Sequence, residues 1–92
     1  MPKISVILHP PLDQVSGLNK GGSIVEGVTV LDALQRLTSR LPKLADVLFE
    51  DDNISPFIHI FYNGKEVNPQ HCSIQRIQDG GEVELLTAIR GG

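Results

Sequence analysis

Residues 57–62 (Phe-Ile-His-Ile-Phe-Tyr) run straight into Asn63-Gly64, and that junction leaves few choices but a β-hairpin. Five of the six residues are β-branched or aromatic, the side chains that sit well on a pleated surface. A type I′ turn needs positive φ at both central positions, which Asn and Gly supply at least cost. Lys65-Glu66-Val67 then returns as a short partner strand. Alternation puts Ile58, Ile60 and Tyr62 on one face and Phe57, His59 and Phe61 on the other. His59 marks the second face as the solvent side, so Ile58 and Ile60 belong to the core.

The remaining elements are built around this hairpin. Residues 3–9 alternate, with Ile4, Val6 and Leu8 on one face, and Pro10-Pro11 stops the strand. A broad loop to Gly22 leads into a second strand at 23–26. Thr29 is placed as a helix N-cap, its hydroxyl accepting from the Asp32 N–H, with the Asp32 carboxylate at the positive end of the helix. Val30, Leu34, Leu37 and Leu41 share one face, and Arg36 and Arg40 suit the C-terminal half. Pro42 marks the boundary. Leu44, Val47, Leu48 and Phe49 suggest a further helical turn before the acidic Glu50-Asp51-Asp52-Asn53. Residues 73–77 form a connecting turn, and Asp79-Gly80-Gly81 feeds a last strand at 82–88, with Val83 and Leu85 inward and Glu84 and Leu86 outward. The order predicts an α+β fold: a mixed sheet of four to five strands packed on one main helix. Residues 1–92 show no repeat, low-complexity tract or linker and are expected to form a single domain.

Composition removes several function classes. Net charge of −3 and a pI near 5.4 argue against nucleic-acid binding, which needs a surplus of Lys and Arg on one face. No apolar run approaches the ~20 residues of a membrane span. The first residues are too short and too alternating for a signal peptide. The single Cys72 points to a reducing cytoplasm.

Chemistry in the body of the chain is sparse. His71 and Cys72 are adjacent and so point apart, and no carboxylate stands at a spacing that would orient the histidine. His9, His59 and His71 with one cysteine make no zinc pattern. Lys20-Gly21-Gly22-Ser23 is too short for a phosphate loop. The acidic turn lacks the ligand spacing of a calcium loop. No catalytic residue, metal site or bound cofactor is expected of this chain.

What remains is the end, Arg90-Gly91-Gly92, directly after a strand. With Gly92 as the natural terminus, its carboxylate sits on a mobile tail, 89–92, thin enough to enter another protein's active site. Extended, residues 89–92 reach roughly 13 Å. A free carboxylate is a poor electrophile, so an adenylating partner using ATP and Mg would have to activate it before a sulfur donor or thiol displaced AMP. Phe57, Phe61 and Leu86 lie on the solvent side near this tail. Two readings of them stay open: a docking patch for the partner, or a surface covered by loop residues such as Val15 and Leu18.

The hairpin Tyr62-Asn63-Gly64-Lys65-Glu66-Val67, the turn Asp79-Gly80-Gly81-Glu82-Val83-Glu84-Leu85-Leu86 and the terminal Gly91-Gly92 together resemble the ubiquitin-like sulfur carriers, the small subunit of molybdopterin synthase and the thiamin carrier among them. The resemblance spans nearly the whole chain. It implies a β-grasp fold, adenylation by an enzyme of the ubiquitin-activating type, and sulfur held as a thiocarboxylate on Gly92, with Gly91 and Arg90 giving access. It also implies two partners, the activating enzyme and a sulfur-accepting synthase or large subunit, in molybdopterin, cysteine or homocysteine, or thiamin assembly. Ile89-Arg90 departs from the small apolar pair many carriers have before Gly-Gly and is reminiscent of ubiquitin itself. A protein modifier joined to lysines, and a β-grasp binding domain without conjugation, are the alternatives.

Overall fold

The computed structural model describes residues 1–10, 12, 14, 22–51 and 53–87. The strands and α-helices with described bounds are β1 (Lys3–Leu8), β2 (Gly22–Glu26), α1 (Val30–Arg40), α2 (Pro42–Leu48), β3 (Phe49–Glu50), β4 (Asn53–Ile54), β5 (Ile58–Tyr62), β6 (Lys65–Val67) and β7 (Glu82–Thr87). Five strands make one mixed sheet in the order β2-β1-β7-β5-β6, and β3 and β4 form a separate small hairpin. The first and last strands of the sheet pair parallel at its centre, Val6 opposite Val83 and Leu8 opposite Leu85. All other pairings in it are antiparallel. This is the expected β-grasp, a mixed sheet with the main helix across one face.

The buried side chains follow the alternation. Ile4, Val6, Leu8, Val25, Ile58, Ile60, Val67, Val83 and Leu85 line the inner face and meet Val30, Ala33, Leu34 and Leu37 of α1 and Leu44 and Leu48 of α2 in one cluster. Thr29 caps α1 as expected, its Oγ1 accepting from the Asp32 N–H at 3.1 Å. The Asn63-Gly64 turn has φ of 50° and 85°, positive at both positions.

Several expectations need correction. Leu41 is not part of the helical stripe: it precedes Pro42, which disfavours helical backbone, and it sits half-buried with φ −131° and ψ 76°. Arg36 does not serve the C-terminal end of α1, because its Nε donates to Asp32 Oδ1 at 3.1 Å in the first turn. The strand expected from Phe57 begins at Ile58. Ser55 and Pro56 turn the chain there: Ser55 O accepts from the Ile58 N–H and Ser55 Oγ from the Phe57 N–H. The stretch read as a loop contains Leu12 and Gln14 in helical conformation, and Leu12 is fully buried in the core. Gly22 belongs to β2 rather than to that loop. The β3–β4 hairpin and a 3-10 turn at Pro69–His71 had no sequence signal strong enough to find them.

Candidate functional site: the outer sheet face and the end of β7

The face of the sheet turned away from the helices carries the docking candidates. Phe61 pairs across the strands with Glu84, and Leu86 pairs with His59, so Phe61 and Leu86 are diagonal neighbours on β5 and β7. Both are half-buried. Phe57 is 58% exposed but lies in the turn before β5, at the margin of the patch. Ile7 stands on the same face opposite Glu84. The structure therefore brings Phe61 and Leu86 together and leaves Phe57 beside them.

Two histidine–glutamate pairs frame this patch. Glu84 Oε2 accepts from His9 Nε2 at 2.8 Å, and Glu66 Oε2 accepts from His59 Nδ1 at 2.8 Å. His9 is thus tied across to β7 while its side chain stays partly exposed. The signal was available only in three dimensions, since 75 residues separate His9 from Glu84. Each pair is exposed enough that its direct contribution to stability is small. Their effect is on the surface, where they set polar groups around an apolar centre.

β7 carries this face toward the tail. It enters at Glu82 and leaves at Thr87, the partner of Ile58. Arg90, Gly91 and Gly92 follow and lie outside the described residues, as do Val15 and Leu18, the proposed cover. At the opposite end of β7, the two sequence motifs that carried the resemblance lock onto each other. Asn63 donates its N–H to Glu82 O at 2.8 Å and accepts the Glu82 N–H at Oδ1 at 2.9 Å. Tyr62 OH accepts from the Gln78 N–H at 2.8 Å. Asp79 Oδ1 accepts from the Lys3 N–H, and Lys3 O accepts from the Gly80 N–H, each at 2.8 Å. These residues fix where β7 starts and so aim its far end.

Cys72 is buried while its neighbour His71 is exposed, and burial pushes the thiol from 9.0 up to about 11, so it keeps its proton at neutral pH. Among the described residues, no group of three or more His, Cys, Asp or Glu is placed to hold a metal ion. No helix among them is long and apolar enough to cross a membrane.

The sequence matches the ThiS family over residues 14–92, through the final two glycines. The chain belongs to that family. This ThiS-family chain is 30% identical over 67 residues to small archaeal modifier protein 3 of Haloferax volcanii, covering 73% of either protein. Among solved structures, small archaeal modifier protein 1 from Methanosarcina acetivorans matches with a TM-score of 0.86 at 25% identity, covering 100% of this chain and 98% of that one. A chain of the BexX/CysO complex from Amycolatopsis orientalis shares the fold, with a TM-score of 0.83 at 24% identity over 97% and 99% of the two chains. The resemblance to ubiquitin-like sulfur carriers is borne out.

Proposed function

We propose that this chain is a sulfur carrier whose reactive group is the carboxylate of Gly92. The observation that carries the reading is the family match, which runs on from the sheet's central strand through Gly91-Gly92 in the sequence. An oxygen of the Gly92 carboxylate attacks the α-phosphorus of ATP in a partner enzyme and pyrophosphate leaves. A sulfide donor then attacks the acyl carbon, AMP departs, and a thiocarboxylate remains. Gly91 and Arg90 form the approach, and Phe61 and Leu86, with Phe57 at the margin, dock the activating enzyme. ATP and Mg belong to that enzyme, and a synthase or large subunit accepts the sulfur. Intact-mass spectrometry after incubation with a candidate activating enzyme, Mg-ATP and sulfide tests this. The gain expected is the sulfur–oxygen mass difference, located on Gly92; no gain with any cognate enzyme overturns it.

A second reading, attachment of Gly92 to lysines of other proteins, is favoured by Arg90 and by the identity to a relative named as a modifier. Both activities start from the same adenylate. A ladder of tagged conjugates in a lysate supports modification, whereas a single free band leaves carriage ahead. Should removal of Gly91 and Gly92 leave the biological role intact, a non-conjugating binding domain is the answer.

A further inference from the structure

We propose that the open edge of β2, with the facing turns of α1, is a docking site for an extended acidic segment of a partner protein, which adds to the sheet as an antiparallel strand. This site lies at the β2 edge of the sheet, two strands from Leu86, and the proposal does not depend on the chemistry proposed for Gly92.

Two strands bound the sheet, β2 and β6, and β6 has only three residues. β2 has five, and its hydrogen-bonding phase leaves the edge usable. The Gly27 N–H donates to Pro2 O at 3.1 Å, and this pair is in phase with Ile4–Val25. The intervening residues, Ile24 and Glu26, therefore turn their N–H and C=O groups away from β1. Among the described residues, the one hydrogen bond recorded on this outward side is a long one, from Arg40 Nη2 to Ile24 O at 3.4 Å. Ile24 is also 62% exposed, an apolar side chain beside an outward-facing backbone edge.

A cleft lies between this edge and α1, lined by Lys3, Ile24, Glu26, Arg36, Ser39 and Arg40. Three of the chain's eight Lys and Arg residues thus gather at one groove, against the single lining carboxylate of Glu26, in a protein with net charge −3. Arg36 and Arg40 are one helical turn apart, about 6 Å along the axis. Carboxylates at alternate positions of a strand are about 6.8 Å apart, a close match. Arg36 commits its Nε to Asp32, which leaves its two terminal nitrogens for a ligand. An added strand would thus present aliphatic side chains to Ile24 and acidic ones to the arginines, an alternating apolar–acidic pattern.

The probe is acetyl-Gly-Val-Asp-Val-Asp-Val-Gly-amide, titrated into the full-length, 15N-labelled chain at low salt. Saturable amide shifts at Ile24, Glu26 and Arg40 are expected. Replacing both Asp by Lys in the peptide should weaken binding at least about tenfold, as should Arg36→Gln with Arg40→Gln in the protein. N-methylation of the central valine, which removes the donor facing Ile24, should cost a similar factor. The proposal is overturned if no shifts appear, if they fall around Phe61 and Leu86, or if the N-methylated peptide binds as well as its parent. The first outcome would make the arginines guards against edge pairing; the last would reduce the site to charge attraction.

Discussion

Gly81 has no room for a side chain. A Cβ there would meet Tyr62 Cε1 at 2.9 Å and Gln78 O at 3.0 Å. Tyr62 cannot swing aside cheaply, because its hydroxyl is held by the Gln78 N–H. Gly81→Ala should therefore lower stability by about 1–3 kcal/mol, seen as a lower urea midpoint at unchanged slope. The Gly80-Gly81 pair was legible as a turn, and Gly80 does adopt φ 85°. The reason for the second glycine was not legible, since it comes from a ring nineteen positions earlier in the chain. Cys72 makes a second residue-scale prediction. Its folded-state thiol titrates near 11 rather than 9.0 because burial disfavours the thiolate. The native state then holds a proton that the unfolded chain releases, so the stability this group contributes is complete below about pH 9 and is lost as pH rises toward 11. Urea titrations across that window should show the wild type losing stability relative to Cys72→Ala as pH increases.

The start of α1 shows how much of an element can be read from four letters. Thr29 and Asp32 do what their spacing implied. The Asp32 carboxylate reaches further, accepting from the Val28 N–H at 2.8 Å as well as from Arg36. Those contacts, the Val28 N–H first, hold its carboxyl below the usual 3.8. Thr29→Ala should cost about 1 kcal/mol in chemical denaturation. The stability tied to Asp32 is present above pH 3.8 and lost as pH falls through its lowered folded value. The difference between wild type and Asp32→Asn should accordingly shrink below pH 3.8. Elements set by local pattern, such as this helix and the Asn63-Gly64 hairpin, were legible. Those without a period were not: β3 and β4 have two residues each, and the burial of Leu12 depends on a core assembled from distant strands. Phe57 reads as strand because its run is apolar, whereas Ser55 and Pro56 commit the backbone there to a turn.

At the level of the whole molecule, the two sides of the sheet have different duties. Ile58, Ile60, Val83 and Leu85 hold the helices, and Phe61 and Leu86 offer the opposite face. That division was legible from alternation once His59 was taken as a solvent marker. The histidine–glutamate frame was not, since it joins strands far apart in sequence. Leu86→Arg should lower stability by about 1 kcal/mol, as expected at a half-buried position. It should still reduce ATP–pyrophosphate exchange by the activating enzyme at least about tenfold through KM, while removal of Gly91 and Gly92 should abolish exchange without shifting Tm. An equal loss of Tm and exchange in Leu86→Arg would assign that residue to packing instead.

The parallel pairing of β1 with β7 has a bearing on how this molecule is made. The strand that leads to Gly91-Gly92 is the middle of the sheet, flanked by β1 on one side and β5 on the other. A nascent chain emerging from the ribosome cannot close its sheet until β7 has been translated, since long-range pairing must wait for its last partner. Products of premature termination before β7 would stay open and be exposed to proteases, so translation and folding together sort for molecules that carry the sheet's central strand.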